Sequence, residues 1–558
     1  MMAPGRAAAA IERLILAAIL LCPVFLVHGR GIAEALIDVA ATGLLARGLL
    51  GNGWEWARQP WVRVSLLWWN WLVLCSLPVL GLGAGGWPAF GQAVLTVRFL
   101  LFAAAMGTVL PRAPRVRRAV CWLVVAACGY IVAQMAIQAV FGVNLFGMHR
   151  FGDGTLTGPY DKPRAAAPLS RLLMPVMLAA GSMLATRGRP GGSAAAAWWG
   201  ASPAAPEGHP SGVAQAPALP RARRGGRNAL PDGSLGGIAP TPGLGAPTPG
   251  EPLLAEGGIA PGEAGPVAHP RGFAGRAGRT LLPLLPLLGG LAVMVLAGQR
   301  MPLLLTLLGL VVAALMLPRL RLPVLLAAIA APVLVALSAV LTPRSFGHLV
   351  LLFSRQMHHF GNSPYGHLFE RALNMGLANP LTGLGFDGFR HRCADPRYFG
   401  RHLFGLGGDG GGAAICAQHP HNHYLQALTD SGLIGLVLFC LMVLFWLRTL
   451  ARGLGGAGPA FSGLRAWRVG LFAAVLMQEW PIASTSAFTN MPLGGWCFLL
   501  LGLGMAFVPP TPGRKEASMG QGGPSGASFP RGPGLRSLPR TGTSARGKPE
   551  IVPTDDRP

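Results

Sequence analysis

The chain has 558 residues, 51% of them apolar and only 12% charged, with 14 tryptophans and a mean hydropathy of +0.46. Those proportions describe an integral membrane protein and exclude a soluble core of this size. The net charge of +25 invites nucleic acid as a partner, but the arginines lie in short loops between apolar segments, in a proline-rich insert and in the C-terminal tail, which is a topology signal and argues against a polynucleotide.

Apolar windows of about 17 to 25 residues predict membrane helices near residues 11–29, 34–50, 63–83, 90–110, 118–141, 165–185, 280–298, 302–317, 322–342, 424–447, 467–483 and 491–508, about twelve in all. The first lacks a small-residue cleavage site and is followed by many more, so it reads as retained. The expected fold is therefore all-α and polytopic, with helices 1 to 6 in residues 1–186, helices 7 to 9 in 280–342 and helices 10 to 12 in 424–509. Arg6 and Arg13 start the chain on the cytoplasmic side. Alternate connections then carry Arg58 and Arg63, the cluster Arg112, Arg115, Arg117 and Arg118, the arginine-bearing insert, Arg319 and Arg321, and Arg448, Arg452, Arg465 and Arg468, all of which would lie inside. The other connections include two without charge, Ser76 to Phe90 and Thr485 to Asn490. They also include one loop of roughly 80 residues, 343–423, far above ordinary connection lengths.

Residues 187–279 and 510–558 are dominated by Gly, Pro, Ala and Ser. Such segments bury too little apolar surface to offset their chain entropy, so both are expected to be disordered cytoplasmic segments. The basic knot Arg221, Arg223, Arg224 and Arg227 allows an additional weak attraction to anionic membrane lipid. Six of the eight cysteines lie in or beside apolar spans, as small core residues do, whereas Cys393 and Cys416 both fall in the long outer loop. A bridge between them would close about 24 residues in an oxidising compartment and stabilise that loop by roughly 3 kcal/mol.

Within the loop, Tyr365 to Leu377 has the periodicity of an amphipathic helix, with Leu368, Phe369, Ala372, Leu373 and Met375 as its apolar set and Asn379-Pro380 as its end. The glycine-spaced run Leu381 to Arg390 follows, and a tight turn after a helix explains it better than a ligand cradle. The loop closes on Gln418-His419-Pro420-His421-Asn422-His423-Tyr424-Leu425-Gln426, three histidines and an amide at the mouth of a membrane helix. Protonatable side chains are costly to keep there, which marks a site. Histidines at alternate positions also invite a metal, but Cys416 and Asp430 are the only nearby carboxylate or thiol and no ligand pattern surrounds them, so neither metal nor cofactor is expected.

At these residues the chain resembles the O-antigen ligase and polymerase family of bacterial multispanning membrane glycosyltransferases. The resemblance rests on His-Pro-His-Asn followed by Tyr424-Leu425-Gln426 and Gly432-Leu433-Ile434-Gly435-Leu436, on Asn379-Pro380-Leu381-Thr382-Gly383-Leu384-Gly385, on Gln299-Arg300 opening a span, and on Leu156-Thr157-Gly158-Pro159-Tyr160-Asp161-Lys162 before a span. It implies a GT-C-like helical fold in the bacterial inner membrane, with the large loop periplasmic. It also implies a glycan donor on undecaprenyl pyrophosphate and an acceptor hydroxyl on lipid A core or on another glycan. His421, directly before the asparagine, matches the family's histidine and suits the general base, since its ordinary pKa lies near neutrality. His419 flanks it without matching, and Asn422 reads as a local orienter or helix cap. Arg300 matches the family's arginine and suits a bidentate grip on pyrophosphate. Where the family often has a second arginine, this chain has Tyr365, which leaves Arg371, Arg355 and Arg344 as candidates for the second phosphate contact.

The large loop directly before the histidine motif favours a ligase of lipopolysaccharide or surface polysaccharide biosynthesis, with a polymerase of the same family as the alternative. A polysaccharide or lipid-linked sugar transporter would also have about a dozen spans, but it should carry polar groups at the midplane and an internal repeat, and no repeat is evident.

Overall fold

The computed structural model describes residues 4–51, 53–79, 81–152, 154–160, 165–186, 282–399, 411–455 and 463–509. The expected insert at 187–279 and tail at 510–558 lie outside the described residues. Within them the regular structure is helical, apart from one isolated bridge between Val143 and His149. The principal helices are α1 (Pro4–Val27), α2 (Arg30–Gly51), α3 (Pro60–Cys75), α4 (Gly86–Leu95), α5 (Val97–Val109), α6 (Pro114–Phe141), α7 (Ala166–Thr186), α8 (Leu284–Ala297), α9 (Arg300–Met316), α10 (Arg321–Leu341), α11 (Pro364–Ala378), α12 (His423–Ala451), α13 (Gly463–Gln478) and α14 (Leu493–Met505).

A helix lies at each of the twelve expected spans, and the fourth is divided at Thr96 into α4 and α5. Six stretches are long and apolar enough to cross a membrane: Arg6–Val27, Gly86–Arg112, Pro114–Phe141, Ala166–Ala185, Pro318–Leu341 and His423–Ala451. The apolar helices α8, α9 and α14 are shorter. The direction of burial identifies the solvent. Along α10, Val324, Ala327 and Ala331 are buried while Leu322, Leu325, Ile329, Val333, Leu337 and Val340 point outward at three- and four-residue spacing. An outward face that is as apolar as the inward one suits lipid and would be unstable in water. α14 is buried along its whole length and forms the centre of the bundle. The chain has the architecture of a multi-pass membrane protein.

Lipid contributes no hydrophobic drive between helices, so close packing has to hold the bundle together. Small residues sit where backbones approach. A Cβ on Gly470 of α13 would stand 2.3 Å from Pro175 Cα of α7, and one on Gly502 of α14 would stand 3.0 Å from Ala103 Cα of α5.

α12 carries the feature that seats the long loop. Gly432 interrupts it with φ 68° and ψ −167°, a conformation essentially restricted to glycine. The break releases backbone groups that the turn after α11 then satisfies: Leu384 N–H donates to Thr429 O at 2.8 Å, Gly385 N–H to Asp430 O at 3.0 Å and Leu433 N–H to Pro380 O at 2.7 Å. Gly383 is needed for this approach, since a Cβ there would lie 2.6 Å from Thr429 O and from Ser431 N. Trp71 of α3 donates its indole N–H to Ser431 O at 2.9 Å, locking a third helix to the same break.

The loop itself has a small core of Leu368, Ala372, Met375, Phe389, Cys393 and Tyr398. Ser363 caps α11 by accepting from Gly366 N–H, with Pro364 at the first helical position. Cys393 and Cys416 are joined by a disulfide. The remaining cysteines Cys22, Cys75, Cys121, Cys128 and Cys497 are buried thiols, and Cys440 is exposed.

Candidate active site

The histidine motif ends in a helix start, and that position decides the geometry of each residue in it. Asn422 caps α12, its Oδ1 accepting from Tyr424 N–H and Leu425 N–H at 3.0 Å each. Its Nδ2 donates to Pro481 O at 2.7 Å and Ala483 O at 3.2 Å, tying the helix start to the segment between α13 and α14. One residue earlier, His421 adopts φ 55°, a left-handed conformation that costs a non-glycine residue about 1 kcal/mol or more. Thr485 N–H donates to His421 O at 2.8 Å and holds it there.

The three histidines have different surroundings. His423 is turned inward, with Nδ1 2.8 Å from Glu479 Oε2 and Nε2 3.0 Å from Ser486 O, and the side chains of the pair are 2% and 0% exposed. His419 and His421 remain together, ring centroids 4.4 Å apart. Among the described residues the buried His419 Nε2 has no hydrogen-bond partner. Burial pushes the His421 imidazole below its ordinary value, and burial together with the neighbouring imidazoles pushes His419 down to about 3. Both rings are therefore neutral near pH 7, and a neutral imidazole accepts a proton. Among the described residues no three His, Cys, Asp or Glu side chains are arranged to hold a metal ion.

Tyr365, on the first turn of α11, lies edge-on to His421 with centroids 5.8 Å apart. The same tyrosine is close enough to Arg300 to interact with it electrostatically. Arg300 opens α9 after the left-handed Gly298, donates to Gln356 Oε1 and stands 5.9 Å from the Phe353 ring centroid. His421, Tyr365 and Arg300 come from three distant parts of the chain and are all half-buried.

The other arginines are placed differently. Arg371 is 2% exposed and already committed, donating to Cys393 O and, at 3.0 Å, to Gly412 O, with its guanidinium carbon 4.0 Å from the Phe399 ring centroid. It binds the disulfide segment to α11 and does not join Arg300. Arg355 is exposed on the short helix Leu352–His358, next to the Gln356 that holds Arg300. Arg344 is exposed on the turn Pro343–Phe346 and lines a separate cleft at the end of α6. The Leu156–Tyr160 turn is clamped by Gln138, whose Oε1 accepts from Thr157 N–H at 2.9 Å and from Gly158 N–H at 3.1 Å; Asp161 and Lys162 lie outside the described residues.

The motif spacing did not disclose the partners Glu479, Ser486, Thr485 and Gln356. Glu479, an acid directly after the apolar helix α13, is the member of this set that a sequence can flag, and Arg98 in α5 is a second charge of that kind. Arg98 is paired with Glu34 at 3.4 Å and Asp38 at 3.2 Å.

No curated protein matches the chain at a significant level. The family model described as O-antigen ligase matches residues 285–440, a stretch that runs from α8 into α12 and contains Arg300, Tyr365 and His421. The chain thus carries an O-antigen ligase family domain over residues 285–440.

Proposed function

We propose that the chain is a glycosyltransferase of the bacterial inner membrane that moves a glycan from undecaprenyl pyrophosphate to a sugar hydroxyl, at the periplasmic face. His421 takes the proton of the acceptor hydroxyl as its oxygen attacks the anomeric carbon, and the bond to pyrophosphate breaks with its electron pair leaving on the phosphate oxygen. Arg300 stabilises the charge that develops there, and its planar guanidinium suits two phosphate oxygens at once. Tyr365 borders both groups and fixes the distance between them. Arg355, beside the partner of Arg300, supplies the second phosphate contact, the role that Arg371 cannot fill while its donors are engaged in the loop core. The acceptor in this reading is a lipid A core sugar, which makes the protein a ligase.

The observation that carries the proposal is a half-buried imidazole, neutral by burial and held in a left-handed backbone at the mouth of a membrane helix, beside a tyrosine that also interacts with Arg300, inside the matched domain. The test is His421→Ala and Arg300→Ala, made separately in the native host with membrane levels checked and lipopolysaccharide resolved on a gel. Loss of the long ladder with lipid-linked polymer accumulating supports a ligase, and single-repeat products would make it a polymerase. An unchanged ladder in both variants removes the assignment and favours transport.

A further inference from the structure

A cleft of about 590 Å³ lies beyond the end of α6, lined by Ala139 to Gly142, His149 to Gly152, and Arg344. It shares no lining residue with the group around His421. Its two arginines are held by different means. Arg150 donates to the carbonyls of Ala139, at 2.5 Å, and Gln138, at 3.4 Å, in the last turn of α6. The stem of Arg344 lies on Gly154, where any Cβ would come within 2.8 Å of its Cβ and Cδ, so the glycine makes room for it. Among the described residues no carboxylate lines the cleft. Two guanidinium groups line one concavity with no carboxylate among its described lining residues, so the cleft favours an anion.

The rim identifies what carries that anion. Of its lining residues, Val140 and Phe141 are 75% and 74% exposed, and Phe151 is also exposed. Val140 and Phe141 end α6, one of the helices long and apolar enough to cross a membrane. A basic cleft ringed by exposed apolar side chains at a span terminus matches the boundary where phosphate headgroups meet acyl chains. We infer that this cleft binds the phosphate of a membrane lipid headgroup, through Arg344 and Arg150.

The experiment uses the full chain in detergent, with lipid retention measured by native mass spectrometry against phosphatidylglycerol and phosphatidylcholine of equal chain length. The parent should prefer phosphatidylglycerol by about five-fold or more, and both Arg344→Gln and Arg150→Gln should remove most of that preference, with Arg344→Gln leaving the melting temperature unchanged because the residue is exposed. An equal preference in the parent and in Arg344→Gln overturns the inference. Excess inorganic phosphate is the second arm. Phosphatidylglycerol retained in its presence supports a lipid-borne ligand, and displacement by phosphate overturns the lipid assignment in favour of a soluble anion.

Discussion

Replacing His423 by Ala separates a buried structural pair from the base beside it. The side chains of His423 and Glu479 are 2% and 0% exposed, 2.8 Å apart, and Ser486 O lies 3.0 Å from the other ring nitrogen. A carbonyl only accepts, so Nε2 donates to Ser486, and a proton must also lie between Nδ1 and the carboxyl group. His423→Ala removes both hydrogen bonds and leaves the Glu479 carboxyl group in the interior with Cys497 Sγ, 3.8 Å away, as its remaining side-chain hydrogen-bond partner among the described residues. Stranding one member of a buried ion pair costs about 3 to 5 kcal/mol. Glu479→Gln keeps a donor for Nδ1 without a charge and should cost less, about 1 kcal/mol. The double variant His423→Ala/Glu479→Gln should be milder than the sum by roughly 0.5 to 3 kcal/mol, because the stranded charge is gone. Unfolding of the solubilised chain, followed by circular dichroism, measures all three. Strict additivity, or a loss below about 1 kcal/mol for His423→Ala, would refute the account of this pair.

Other consequences can be checked in the same preparation. Cys393→Ser/Cys416→Ser reopens a loop closed over a sequence separation of 23, which should destabilise the loop core by roughly 3 kcal/mol, seen as earlier proteolysis between the two positions and as the same effect of reductant on the parent. Gly432→Ala forces a side chain into a conformation that excludes it and sets its Cβ 2.4 Å from Leu381 O, so a loss of about 3 kcal/mol and a displaced 379–385 turn are expected, read by melting temperature. The pH dependence has a defined sign. His419 and His421 carry folded-state values below those of the unfolded chain, so the unfolded state takes up protons first as pH falls. Stability is complete above about pH 6.5 and declines below it, toward 3 for His419, by up to about 1.4 kcal/mol per pH unit for each ring. Transfer activity should fall on the acid side with a midpoint below 6.5, as measured by product formation against pH in reconstituted membranes.

The order of helices was legible in the sequence because each depends on a local property, the length of its apolar run. The cap at Asn422 and the helix at Tyr365 to Leu377 were legible for the same reason, since capping and amphipathic periodicity act within a few residues. The glycine run after α11 also followed from local chemistry, as a turn needing close backbone approach, although its partner did not. That partner is the break at Gly432 in α12, and nothing in an apolar run shows that one glycine within it will leave the helical region.

The division between His421 and His423 likewise came only from the fold. Both share one motif and alternate spacing, yet one lies half-buried against Tyr365 and the other meets a buried glutamate more than fifty residues away. The arginines divide in the same way, with Arg371 consumed by loop carbonyls, Arg344 turned to a second cleft and Arg300 left beside Tyr365. Chain-local quantities such as apolar length, capping and charge asymmetry are set by neighbouring residues, so the sequence by itself determined them. Which side chain meets which acceptor depends on contacts between segments far apart in the chain, and those exist only once the helices have packed.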